Sequence, residues 1–148
     1  MTGVQTCALP ILIDYDEDVW ERTIKINLNA QFYVTKALLP LLLRGKNPSI
    51  ISVSSSVGRL GKAGWGAYAA SKFGLEGLTQ VLSDELGTKA RVNSVNPGGT
   101  RTDMRAKAYP EEDPRSLPNP DDISEIFVYL ASDDSIGVTG QEIGRAHV

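Results

Sequence analysis

Apolar residues recur at helical spacing in three stretches of the chain and gather into short continuous runs in two others. From Val19 to about Leu43 one stripe reads Trp20, Ile24, Val34, Leu38, Leu41, the recurrence of a helix that hides one face. Asn27 and Gln31 interrupt it on the same side. A carboxamide among apolar neighbours usually makes an internal hydrogen bond, and a functional role is the sharper reading. The acidic run Asp14 to Asp18 suits a helix N-terminus, where negative charge meets the positive end of the backbone dipole. Pro40 should kink or end this helix, and Gly45-Lys46-Asn47-Pro48 reads as a turn.

Ser49–Ser54, with Ile50, Ile51 and Val53, has the near-continuous apolarity of a parallel strand covered on both sides. A loop rich in glycine and small residues, Ser55–Gly66, leads into a second helix. There Tyr68, Lys72, Leu75, Leu82 and Leu86 fall within about 40° of one line at 3.6 residues per turn. Ala70, Gly74 and Gly77 leave the far side small enough for another helix to approach, from this chain or another subunit, and Gly87 is a stop signal. Arg91–Val95 is a second strand, ending in Asn96-Pro97-Gly98-Gly99-Thr100-Arg101-Thr102. Asp103 to Asn119, with three prolines, reads as a mobile loop with a short helix. A third helix starts at Asn119-Pro120-Asp121-Asp122, turns Ile123, Ile126, Phe127 and Leu130 inward, and ends at Ser132–Ser135. Thr139-Gly140-Gln141 opens one more strand.

Strand, helix, strand, helix, strand is the order of a doubly wound parallel α/β sheet with right-handed crossovers. In such sheets ligands sit beyond the C-terminal ends of the strands. The loops that start there, Ser54–Gly66 and Asn96–Thr102, should therefore meet at one crevice. No glycine-rich phosphate turn precedes the first helix.

Composition narrows the chemistry. The net charge of −3 is spread over interspersed acids and bases, which points away from nucleic acid and anionic membranes as partners. The longest apolar run, Ala37 to Leu43, is far too short to span a bilayer. Residues 1–10 and 142–148 read as sequence foreign to the fold, leaving 11–141 as one domain. Cys7 and His147, the single cysteine and histidine, lie in those ends. With them set aside, a cysteine nucleophile, a serine-histidine triad and a histidine-ligated metal centre are all ruled out. The lack of a disulfide framework fits a cytoplasmic protein.

What remains is Tyr68 and Lys72, four residues apart on one helix face, with the serines Ser54, Ser55 and Ser56 upstream. An ammonium beside a phenol favours the phenolate and draws its pKa towards neutrality, the adjustment a tyrosine needs to exchange protons. A Tyr-x-x-x-Lys pair arises by chance in such a chain roughly one time in four. Its place at the N-terminal end of a burying stripe is what gives it weight, because an amine there is costly unless the site is polar and occupied.

From about Trp20 to Gln141 the chain resembles the short-chain dehydrogenase/reductase family. The resemblance rests on Asn27 in INLNAQF, Ser55 in SSSVG, Tyr68 and Lys72 in YAASK, Pro97-Gly98 with Thr102 in NPGGTRT, and Thr139-Gly140-Gln141. It implies the C-terminal part of a Rossmann-like, three-layer α/β/α sheet that carries an NAD(P)-dependent oxidoreductase. A carbonyl and a secondary alcohol of a small molecule would be interconverted with NAD or NADP. Tyr68 would be the acid or base. Lys72 would lower the phenol's pKa and bind the nicotinamide ribose, Ser55 would hold the substrate oxygen, and Asn27 would hold a water leading from Lys72 to solvent. Ser55 is preferred over Ser54 and Ser56 on the family's spacing to the tyrosine. Pro97, Gly98, Thr100 and Thr102 would contact the nicotinamide end. Met104–Leu117 would cover the substrate, with Arg101, Arg105, Arg115 and Tyr109 either meeting an anionic substrate or carrying solvated charge.

By the same resemblance, the first two long helices form a four-helix contact in a homodimer or homotetramer. The family's dinucleotide-binding N-terminal half has no counterpart here, so the chain alone is expected to bind dinucleotide poorly and turn over little. A non-catalytic binding or regulatory protein on the same scaffold is the alternative.

Overall fold

Asp16 opens the first helix, α1 (Glu17–Ile24), by accepting the backbone N–H of Val19 at 3.1 Å, a carboxylate cap that also faces the positive helix end. The computed structural model describes residues 12–144. Residues 1–10, the last four of 142–148, Cys7 and His147 lie outside the described residues. After α1 the helix widens into a π turn, Lys25–Asn29, and continues as α2 (Ala30–Leu42). Pro40 sits inside α2, and the helix runs two residues past it before the turn that follows. The cost of the missing N–H is confined to a last turn that is about to end in any case.

Strand β1 (Ser49–Val53) leads to α3 (Gly66–Leu86) and then β2 (Arg91–Asn96). The short helix α4 (Asp103–Ala108), α5 (Ser124–Ala131) and β3 (Glu142–Gly144) complete the order. All three strands are parallel in the order β1-β2-β3, with Ser49 beside Arg91, Val53 beside Val95 and Ser94 beside Glu142. The strand expected to open at Thr139–Gln141 thus begins at Glu142. Those three residues pin it: the Thr139 hydroxyl accepts from Val92 N at 3.0 Å, Gly140 N donates to Val92 O at 2.8 Å, and Gln141 N donates to the Asn93 side chain at 3.1 Å.

β2 is the centre of the core. Arg91 to Val95 are all buried, and Leu86, Ala90 and Val92 form a cluster packed against Leu39, Ile50 and Leu82. β1 departs from the expected double cover: its residues are only partly buried and Val53 is exposed, because no strand among the described residues pairs with its outer edge. α2 buries none of its side chains, so Val34, Leu38 and Leu41 of the apolar stripe are exposed. Ile123, Ile126 and Phe127 are partly buried, as expected, and Leu130 fully so. At the floor of the sheet the buried Arg91 guanidinium donates to Leu130 O at 2.8 Å, to the Ser135 hydroxyl and to Asn47 O at 3.2 Å. Its charge is met by the negative C-terminal end of α5 and by dipoles.

Candidate active site

The first turn of α3 is fixed from outside. Tyr15 packs edge-on against Trp20 and accepts the N–H of Ala67 at 3.4 Å. A Cβ on Gly66 would lie 3.1 Å from the Tyr15 ring, so glycine lets the aromatic pair press onto the helix start. One turn on, Tyr68 and Lys72 point to the same side, the Lys72 Nζ standing 5.5 Å from the centroid of the phenol ring. The serine loop closes over them: Ser54 N donates to Val95 O at 2.7 Å, and Gly58 lies flat on α3. A Cβ on Gly58 would come 3.0 Å from Ser54 Oγ and 3.1 Å from Lys72 O, so any larger residue would lift the loop.

Ser55, Tyr68, Pro97, Gly98, Thr100 and Thr102 line one crevice of about 240 Å³. It lies at the C-terminal ends of β1 and β2, where the parallel sheet was expected to hold its ligand. A smaller cavity of about 50 Å³ along Val95, Ile126 and Ile143 touches neither Ser55 nor Tyr68. Among the three serines, Ser55 is the one that acts on the phenol, drawing its pKa down. Ser54 also lines the crevice, with its hydroxyl buried and unpartnered, whereas Ser56 is exposed and does not.

Asn27 and Lys72 do not line the crevice. Lys72 Nζ donates to Val53 O at 2.8 Å. The Asn27 amide, carried by the π turn, donates to Ser71 Oγ at 3.3 Å, and Ser71 Oγ donates to Tyr68 O at 2.7 Å. Asn27 therefore braces the backbone of the helix that carries the phenol.

The electrostatics differ from the sequence expectation. Burial pushes the Tyr68 phenol above its ordinary value, and the Ser55 hydrogen bond offsets part of that. Burial lowers Lys72, against which the carboxylate of Glu76, one turn further along α3, pulls up. The expected lowering of the phenol by the amine is not seen, since Lys72 is directed at a carbonyl rather than at the hydroxyl. The chain's own residues thus hold Tyr68 as a neutral acid.

Sequence reasoning missed the wall beside the phenol. Trp65 lies 5.4 Å from Tyr68 and stacks on Tyr109 at 6.0 Å and 29°. Its spacing of three residues before Tyr68 on a helix was the available signal. The segment expected to be a loop with a short helix contains α4, and side chains tie it together: Arg105 pairs with Glu112 through two hydrogen bonds, Arg115 with Asp113, and Arg101 with Asn119. Arg105 and Arg115 thus each face a carboxylate, and Arg101 a carboxamide. The Thr100 hydroxyl, by contrast, is buried in the crevice wall without a partner, and Gly98 adopts φ +69° with open space where a Cβ would be. An unpaired hydroxyl beside an open glycine turn fits a carboxamide-bearing nicotinamide ring.

The family model for short chain dehydrogenases matches residues 3–113. This chain belongs to the short chain dehydrogenase family. It is 53% identical over 127 residues to the uncharacterized oxidoreductase YciK of Escherichia coli K12, covering 86% of this chain and 50% of YciK. It is 37% identical over 143 residues to the 3-oxoacyl-[acyl-carrier-protein] reductase FabG of Thermotoga maritima, covering 90% and 58%. Among solved structures, a short chain dehydrogenase of Shigella flexneri complexed with NADP superimposes with a TM-score of 0.89 at 50% identity, covering 94% and 57%. Another from Pseudomonas syringae gives 0.90 at 46%, covering 97% and 59%. The chain therefore has the Rossmann-like fold of an oxidoreductase family, and spans about half the length of the curated relatives it matches.

Proposed function

We propose that this member of the short chain dehydrogenase family interconverts a carbonyl and a secondary alcohol of a small molecule with NAD or NADP, two solved neighbours about 50% identical being complexed with NADP and with NADPH. The convergence of Ser55, Tyr68 and the Pro97–Thr102 turn on one crevice, with Lys72 against the Tyr68 ring, carries this reading. When bound, the nicotinamide supplies or accepts the hydride. Pro97, Gly98, Thr100 and Thr102 hold its ring end, with the Thr100 hydroxyl gaining the partner it lacks. Ser55 donates to the substrate oxygen. In reduction Tyr68 gives its phenolic proton to that oxygen as the hydride arrives at carbon, and in oxidation the phenolate takes it back. Lys72 binds the ribose and steadies the phenolate, and Asn27 joins a proton path from Lys72.

The FabG relative and the human (3R)-3-hydroxyacyl-CoA dehydrogenase, 39% identical over 142 residues, carry names of the same carbonyl–alcohol chemistry. The described residues contain no glycine-rich phosphate turn for the adenosine end, so we expect the 148-residue chain alone to bind dinucleotide weakly and turn over little. A second copy would cover α2 and the open side of α3 in a homodimer or homotetramer.

The test joins this chain to the part of YciK that it does not cover and follows NADPH oxidation with carbonyl substrates. Tyr68→Phe should reduce kcat by at least about a hundredfold, the usual contribution of a positioned acid. Equal turnover in both proteins would discard the assignment of Tyr68, and no turnover in either would leave a binding or regulatory protein as the reading.

A further inference from the structure

Within the proposed carbonyl–alcohol reading, we propose that the crevice takes substrates whose body is uncharged, and that Glu112 sets this preference by occupying Arg105. Among the described residues Arg105 is the sole charged side chain lining the crevice. Its Nε and one terminal nitrogen reach the two Glu112 oxygens at 2.6 and 2.7 Å. This forked geometry is the one arginine would otherwise offer an incoming carboxylate. The guanidinium is held there from two further sides. It lies 3.8 Å from the centroid of the Tyr109 ring, and it packs over Gly99, where a Cβ would stand 3.5 Å from it.

Tyr109 is itself fixed, accepting from Lys62 Nζ at 2.9 Å and stacking on Trp65, which leans on Tyr68. An unbroken line of contacts therefore runs from Glu112 to the reacting phenol. The wall beside that phenol is Trp65, Met104, Ala108 and Ile123, which suits an apolar body. A carboxylate placed there would meet an arginine already neutralised and a like charge on Glu112, so one of the two acids would stand unpaired.

The test compares a ketone that carries a carboxylate with its methyl ester. Binding to the 148-residue chain is read by quenching of tryptophan fluorescence, with Trp65→Phe identifying the reporting ring. The ester should bind at least about tenfold more tightly than the acid in wild type. In Glu112→Gln the acid should gain about tenfold, the worth of a freed forked contact, while the ester changes less than about threefold. Arg105→Met keeps the ester and leaves the acid weak, and it serves if Glu112→Gln fails to fold.

Equal or tighter binding of the acid in wild type overturns the proposal. So does an acid affinity unmoved by Glu112→Gln, or rescued equally by Arg105→Met, and so does failure of both ligands to bind at millimolar concentration. Because binding is read without dinucleotide or turnover, this result and the Tyr68→Phe result can fail independently.

Discussion

A buried phenol with a raised pKa is a poor base and a ready acid, and its neighbours decide how far the shift goes. Burial lifts Tyr68 above the ordinary phenol value of 10.0, and the Ser55 hydrogen bond works against it. The phenolate absorbance lost in Tyr68→Phe should therefore have its midpoint above pH 10.0 in the chain alone, and higher still in Ser55→Ala. The sign carries to stability. A folded-state pKa above the unfolded one favours the fold below the unfolded value, and that contribution is lost as pH rises through the folded value. An alkaline melt should thus show a loss in wild type that is absent from Tyr68→Phe. The identity of these groups could be read from the sequence because Tyr68 and Lys72 are local neighbours on one helix and Ser55 follows an adjoining strand. The direction of the shift could not, since it depends on how deeply the ring is covered and on the Val53 carbonyl that engages the amine.

Beyond its first residue, helix α3 carries two glycines with opposite environments. A Cβ on Gly74 would lie 2.6 Å from a Leu28 methyl, whereas Gly77 has nothing within 4 Å. The small face is thus used at Gly74 by the π turn of the same chain. Gly77→Ala should stabilise the chain by roughly 0.5–1 kcal/mol through helix propensity alone. Gly74→Ala should cost up to about 1 kcal/mol net, because the end of the Leu28 side chain must shift to admit the methyl and the helix gain offsets part of that. Thermal melts of the two variants check both signs.

The segment after β2 makes a different demand on pH. Arg105 and Arg115 hold Glu112 and Asp113 below their usual carboxylate values. Stability from a depressed folded pKa is present above the unfolded value and lost as pH falls through the folded one. Protection of residues 103–117 from proteolysis should accordingly persist at neutral pH and fall only in acid below about pH 4. Three prolines and many charges made this stretch read as mobile, because its ties run between side chains of a single loop and leave no periodic trace.

Taken whole, the described residues display an unpaired β1 edge and an α2 whose Phe32, Tyr33, Val34, Leu38 and Leu41 are all exposed. No helix among the described residues is long and apolar enough to cross a membrane. Contiguous apolar surface of this kind drives association. Sedimentation of the 148-residue chain should show species that grow with concentration, and Leu38→Lys with Leu41→Lys should reduce them. The parallel order of strands and the meeting of two loops at one crevice were legible because they follow from alternation of elements. What covers α2 and β1 was not, since a stripe states that a face wants cover and is silent on its source. Nor was the Trp65–Tyr109 stack, which joins residues 44 positions apart.

The π turn at Lys25–Asn29 has a consequence for how this scaffold tolerates change. A π turn is an ordinary helix with one residue too many. Removing any one of the five would leave a continuous helix of good geometry, yet would rotate everything before it by about 100°. Tyr15 and Trp20 would swing off the start of α3, and the braced amide of Asn27 would lose Ser71. Deletions that look harmless by helical propensity should therefore be the most damaging in this stretch, and point substitutions the most forgiving.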